Sequence, residues 1–182
     1  KSIVGKKENY SIIKHGGYSD LINEDITTQK ARNSLKFSKD KTYLLFFGQI
    51  KAAKRLDVLI ESMQYLDENV HLLIAGKPWK EDFSKYDDQI QRLNLENRIY
   101  KYIRFIPDEE REVLFKACDI MILPYEEVYQ SGVLLMAMSY GLGIVTSNLS
   151  SFEEIIVHKE NGLLFKSLDS NDLAEKVNEL TN

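Results

Sequence analysis

Residues 119–147, DIMILPYEEVYQSGVLLMAMSYGLGIVTS, constrain the fold of this chain more than any other stretch. Ile120 to Leu123 is a short apolar run closed by Pro124, which fits a strand buried on both faces and ending where proline removes a ladder donor. The loop that follows carries Tyr125, Glu126, Glu127 and Tyr129. Ser131 is a good N-cap, and residues 133–140 are apolar on nearly every side until Gly141 can end the turn, so a fully buried helix is expected. A second apolar run then completes a strand, loop, helix, strand unit. The first N–H groups of such a helix open beside the carboxyl end of a strand, where open α/β sheets bind ligands and helix N-termini favour anions. Within this stretch alone, Ser131 is better explained as a simple cap and Gly132 as a close-packing residue than as a phosphate seat.

The same pattern recurs along the chain. Residues 10–14 (YSIIK) read as a short strand, His15-Gly16-Gly17 as a turn, and residues 21–39 as a weak helix followed by a solvated connection. Apolar runs at 43–47, 70–75, 99–103 and 163–165 read as further strands. Helical spacing covers 56–66 and 80–93, a helix start follows Pro107 with acids in its first turn, a helical turn lies around 152–156, and a capped helix spans 169–180. Strand and helix alternate about six times, which predicts an α/β fold: a Rossmann-like, doubly wound parallel sheet with helices on both faces. Residues 1–40 are assigned to a linker with a first strand and helix at a domain boundary, and 41–182 to one domain.

With 182 residues, 43% of them hydrophobic, the chain is long enough for one well-filled core. A net charge of -4 argues against general binding to nucleic acid. Cys118 is the single cysteine, without a disulfide partner or zinc spacing, so a reduced, cytoplasmic setting is expected. His71 and His158 lack ligand spacing, and His15 belongs to a turn; no metal site is expected. No apolar run reaches the roughly 20 residues of a membrane span. The chain opens at Lys1 and its first methionine is Met63, so it is expected to be part of a longer protein.

In a doubly wound sheet the loops after the strands converge on one edge, so residues 48–55, 76–79, 104–110 and 126–132 should line a common crevice. The first loop, Gly48-Gln49-Ile50-Lys51-Ala52-Ala53-Lys54-Arg55, places three cations between a strand and a helix of an acidic protein. It lacks the glycine spacing and GK[ST] ending of a Walker loop. Set across from the Ser131 helix start, it favours a diphosphate site formed by Gly48, Gln49, Lys51, Lys54, Arg55, Ser131, Gly132 and Val133. Leu134, Leu135, Met136 and Met138 read as core.

Six segments, FFGQIKAAKRLDVLIESM, LLIAGKPW, RFIPDEE, DIMILPY, QSGVLLMAMSYGLGIVTS and FEEIIVHKENGLLF, together resemble the nucleotide-sugar-binding C-terminal half of GT-B glycosyltransferases of the group 1 type. The resemblance implies a retaining transferase that holds a nucleotide diphosphate sugar, UDP- or GDP-linked, without a cofactor or metal. It implies a glycan or lipid-linked acceptor bound by an N-terminal domain absent here, a role in bacterial surface polysaccharide assembly such as capsule or lipopolysaccharide, and peripheral membrane association through the absent half. By the same resemblance Lys54 falls on the phosphate-binding lysine and Glu154 on the acid of a later proline-glutamate motif. Gly76, Lys77, Arg104, Phe105 and Ile106 fall on the nucleoside contacts, those of 104–106 made largely through backbone. The chain departs from the family pattern in Gln49, which stands for an arginine, and in Val128 and Met136, which stand for a glutamate pair. Ser150-Ser151 replaces a double glycine and Glu153 a proline. Glu127, close to the first lost acid, joins Lys54 as a candidate catalytic residue. A GT-B-shaped nucleotide-sugar epimerase and a noncatalytic donor domain remain open alternatives, with a flavodoxin-like receiver a third.

Overall fold

The computed structural model describes residues 16–18, 22–80 and 82–181. The expected strand at 10–14, and His15, lie outside them. Six strands, β1 (Thr42–Phe47), β2 (Val70–Ala75), β3 (Ile99–Tyr102), β4 (Ile120–Leu123), β5 (Gly143–Ser147) and β6 (Leu163–Phe165), form one parallel sheet in the order β3-β2-β1-β4-β5-β6. The helices are α1 (Thr28–Leu35), α2 (Leu56–Ser62), α3 (Ser84–Arg92), α4 (Asp108–Ala117), α5 (Gly132–Ser139), α6 (Ser150–Glu153) and α7 (Ser170–Thr181).

All six residues of β2 and all four of β4 are buried, as expected of central strands covered on both faces. Alternation along the strands divides their side chains between two cores. Leu44, Phe46, Leu72, Ile74, Ile120 and Ile122 pack with residues of α2, α3 and α7, whereas Tyr43, Leu45, Leu73, Ala75, Met121 and Leu123 pack with residues of α1, α4, α5 and α6. From β1 the chain steps outward to β2 and β3, then returns to place β4 on the other side of β1. The crevice of an open sheet forms at such a reversal, between the carboxyl ends of β1 and β4.

Several boundaries and burials differ from expectation. Within the segment assigned to a linker, α1 is capped by Thr27, whose hydroxyl accepts from Lys30 N–H at 3.3 Å, and it ends at Lys36 in the left-handed region at φ 58°. Arg32 on α1 is buried; it donates to both carboxylate oxygens of Asp119 at 2.6 and 2.7 Å and to Ala117 O at 3.0 Å. The connection after α1, expected to be solvated, instead buries Phe37, which stacks on Tyr43 with ring centroids 4.1 Å apart. Aromatic stacking on a core tyrosine outweighs the polar composition around it.

The helix expected over 80–93 begins only at Ser84, where the Asp82 carboxylate accepts from Ser84 N–H at 3.1 Å. The helix expected over 56–66 ends at Ser62 and tightens into a 3-10 turn, Met63–Tyr65. The largest departure is α5. Only Leu134 and Ala137 are buried, and Val133, Leu135, Met136 and Met138 are half-buried, because the helix lies on β4 and β5 along one side only. Uniform apolarity marked the segment as core but carried no information about which side the sheet covers.

Candidate functional site

The carboxyl ends of β1, β2 and β4 carry the loops that meet. Gly48 ends β1 at φ 97° and Gly76 follows β2 at φ 154°. A Cβ on Gly76 would fall 1.8 Å from Gly48 O, so only glycine lets the two loops approach this closely. They are joined by Ile50 N–H donating to Lys77 O and Trp79 N–H donating to Ile50 O, each at 2.9 Å. The β4 loop is tied to the first by Glu126 N–H donating to Ala53 O at 2.9 Å.

Lys54 is the centre of this arrangement. It closes a single 3-10 turn, Ala52–Lys54, which folds its side chain back over the end of β1. The ammonium donates to Phe47 O at 3.3 Å, lies 5.1 Å from the Tyr125 ring centroid, and sits 3.1 Å from where a Cβ on Gly48 would be. Among the described residues no carboxylate pairs with it. Burial, reinforced by nearby Lys51, pulls its pKa down to about 8.

Opposite stands the start of α5. Ser131 is buried and its hydroxyl accepts from Leu134 N–H at 3.2 Å, an N-cap as expected. The N–H groups of Gly132 and Val133, in the first turn, have no intrahelical acceptor. A cavity of about 270 Å³ joins the two sides; it is lined by Lys51, Lys54, Tyr125, Glu127, Ser131, Gly132 and Val133, among others. Tyr125 is only 3% exposed, and its hydroxyl lies beside Ser131 yet completes no hydrogen bond. Burial drives the Tyr125 pKa well above that of a free phenol. A positive charge that no described carboxylate neutralises and the first backbone donors of α5 therefore border one small space, which Tyr125 also lines. That set matches a phosphate in charge and in hydrogen-bonding sense.

The other expected residues are distributed unevenly. Gln49 is half-exposed beside Gly48, and Glu127 is exposed on the cavity rim. Arg55, at φ 48°, is held by Asp57 at 2.7 Å and Glu126 at 3.1 Å, so its charge is already neutralised, and these pairings push its pKa further up. Gly76 and Lys77 sit within the joined loops. Arg104, Phe105 and Ile106 follow β3 and do not line this cavity: Arg104 pairs with Glu110 at 2.5 Å, Phe105 is 74% exposed, and Ile106 belongs to the core. Val128 and Met136 are half-buried apolar residues. Glu154 lines a neighbouring hollow of about 350 Å³ with Tyr129, Gln130, Ser131, Leu135 and Ile155. Tyr125 was missed as a site residue, although its position directly after the strand-ending Pro124 places it at the carboxyl edge. Among the described residues no cluster of three or more His, Cys, Asp or Glu side chains is arranged to hold a metal ion, and no helix is long and apolar enough to cross a membrane. His71 is buried against Lys41, and His158 Nδ1 accepts from Leu164 N–H.

Comparison with known proteins decides the family. The family model described as glycosyl transferases group 1 matches residues 27–182. The chain belongs to the group 1 glycosyl transferases. An uncharacterized glycosyltransferase of Methanocaldococcus jannaschii is 29% identical over 136 residues, 72% of this chain and 34% of that protein. Among solved structures, Anabaena HepE in complex with UDP superposes with a TM-score of 0.78 at 23% identity, over 85% of this chain and 42% of that one. WaaG, a glycosyltransferase involved in lipopolysaccharide biosynthesis, does so with a TM-score of 0.70 at 20% identity, over 88% and 46%. The chain spans 34% and 39% of the length of the first two curated relatives it matches. This group 1 chain thus has the parallel α/β architecture of GT-B glycosyltransferases, and its carboxyl edge carries the candidate site.

Proposed function

We propose that this chain is the donor-binding half of a retaining hexosyltransferase that takes a UDP- or GDP-linked sugar and passes the sugar to a glycan or lipid-linked acceptor. The acceptor is held by the remaining part of the protein, which works in the cytoplasm at the inner face of the membrane during bacterial surface polysaccharide assembly. The observation that carries the reading is Lys54: a half-buried ammonium with no carboxylate partner among the described residues, its pKa pulled down to about 8, facing the open N–H groups of α5 across one cavity. The UDP held by Anabaena HepE and the lipopolysaccharide role of WaaG support the donor class and the setting.

As the glycosidic bond breaks, negative charge collects on the departing nucleoside diphosphate. Lys54 and the Gly132 and Val133 N–H groups are fixed where they stabilise that charge without reorganising. Lys51 adds charge from the rim. Arg55, engaged with Asp57 and Glu126, acts by bracing the loop. Glu127 at the rim is the one acid among the described residues lining the cavity, and the candidate to face the reacting sugar. Apolar Val128 and Met136 leave the ribose hydroxyls to polar and backbone contacts elsewhere.

Calorimetric titration of the chain with UDP, GDP, dTDP, CDP and ADP tests the reading. Saturable binding of UDP or GDP that weakens on Lys54→Ala is expected. Absence of binding by all five would instead favour a noncatalytic domain retained for assembly, an alternative already raised by the loss of acids at Val128 and Met136.

A further inference from the structure

Trp79 is the only tryptophan of the chain, and it stands 50% exposed in the loop after β2. Its position is fixed from the backbone by the Trp79 N–H to Ile50 O bond and the bridge between Ile50 and Pro78. The close approach of Gly76 to Gly48 holds the two loops together. Lys51, next to Ile50, has its ammonium 5.3 Å from the indole centroid, and the same lysine lines the cavity under Ser131 and Gly132. One side chain therefore spans from the phosphate cavity to an exposed aromatic face.

We propose that Trp79 is the stacking platform for the donor nucleobase, and that Lys51 leaves the indole for a donor phosphate as the nucleotide binds. This inference rests on reading the cavity as a diphosphate site. At an exposed site a cation–π contact is weak, whereas an ammonium on a phosphate makes a charge-assisted bond. A diphosphate seated by Lys54 and α5 thus draws Lys51 inward and uncovers the indole. The reach of one lysine side chain separates cavity and ring, and in a nucleotide the ribose joins phosphate to base across a similar gap. Every nucleobase offers a flat π face, so an indole platform strengthens binding without selecting strongly among bases. The loop 76–79 was expected at the crevice, but the ring itself was not singled out, because a lone tryptophan after a strand carries no spacing signal; its side-chain contact with Lys51 supplies one.

Because Trp79 is alone, intrinsic fluorescence reports on this ring and no other. UDP and GDP are expected to quench it saturably, at the affinity measured by calorimetry, while inorganic pyrophosphate binds without comparable quenching. Trp79→Ala should weaken UDP roughly fivefold to a hundredfold. It should leave pyrophosphate affinity unchanged or slightly higher, since Lys51 no longer has a competing partner; Trp79→Phe should retain most of the UDP affinity. Equal losses for UDP and pyrophosphate, UDP binding with unchanged emission, or quenching by a UDP-sugar but not by UDP would each overturn the proposal. If pyrophosphate binds but UDP binds no more tightly, the platform fails and the phosphate site stands. If neither binds, the donor-site reading fails and this inference falls with it.

Discussion

Lys54 is a half-buried cation that no described carboxylate pairs with, and its protonation would link stability to the binding of an anion. Its pKa falls from 10.5 in a free lysine to about 8 in the folded chain. Below pH 8 the folded state carries a charged, poorly solvated ammonium. Between pH 8 and 10.5 the unfolded chain holds the extra proton, so this group's contribution to stability improves as pH rises. A bound diphosphate reverses the preference by stabilising the charged form. Nucleotide binding at pH 8 is therefore expected to take up a fraction of a proton and to weaken as pH rises further, which calorimetry in buffers of different ionisation enthalpy measures directly. Lys54→Ala should abolish the proton uptake and cost about 1.5 to 3 kcal/mol of binding, while the melting temperature of the free chain stays level or rises. A variant that keeps both affinity and proton uptake would show that the lysine is only solvated. At the opposite edge of the sheet His71 is buried, its Nε2 2.7 Å from Lys41 Nζ and its Nδ1 without a partner among the described residues. Burial, then Lys41 and Arg98, pulls its pKa down to about 4 from 6.5. The unfolded chain gains the proton first, so stability should fall as pH drops from 6.5 toward 4. His71→Leu should remove roughly 1 to 3 kcal/mol of that acid dependence in denaturant titrations at several pH values; an acid limb unchanged by the substitution would assign the effect to other groups.

Among the elements, α5 couples structure to site most directly. If its first turn seats a phosphate, Ser131 and Gly132 should respond differently to substitution. Ser131→Ala removes the acceptor for Leu134 N–H and should cost about 0.5 to 2 kcal/mol of stability, with a smaller, indirect loss of affinity. Gly132→Val places a branched side chain where the ligand must approach, so binding should collapse while stability falls modestly. Melting curves and UDP or GDP titrations of both variants separate the two effects, and parental affinity in Gly132→Val would move the phosphate elsewhere. The elements also show what the chain's pattern does and does not encode. β2, β4 and β6 have the expected bounds, because a short apolar run closed by Gly, Pro or a polar residue carries its own length. Lys54 and Ser131 were legible for a similar reason: a basic loop and a capped helix each follow a recognisable strand. The engagement of Arg55 was not, since Glu126 reaches it from 71 positions away. Nor was the burial of Arg32, whose partner Asp119 lies 87 positions along the chain. Local periodicity fixes faces and ends, while pairing across the sheet edge depends on topology.

For the whole molecule, the two edges of the sheet are treated in opposite ways. At the amino edge Arg32, Asp119 and the Tyr43 N–H, which donates to Asp119 at 2.8 Å, tie α1 to β1 and β4. At the carboxyl edge Glu127, Tyr129 and Gln130 are exposed around the cavity. The described residues that line the cavity all come from the β1 and β4 loops and the start of α5, on one side of where a donor would lie. Holding a leaving group needs only this side. Transfer also needs an acceptor hydroxyl placed against the sugar and water kept away from it, because positioning supplies much of the rate of a two-substrate reaction. No wall for that purpose stands over the cavity among the described residues, and the curated relatives are between two and three times as long as this chain. The chain alone should therefore bind a UDP- or GDP-linked sugar with the Lys54 dependence described above, yet transfer none of it to glycan or lipid-linked acceptors. Incubating the pure chain with radiolabelled donor and acceptor, and following both product and free sugar, tests this. Sustained transfer would place the whole catalytic apparatus on this one sheet edge, whereas donor binding without product assigns acceptor placement to the rest of the protein.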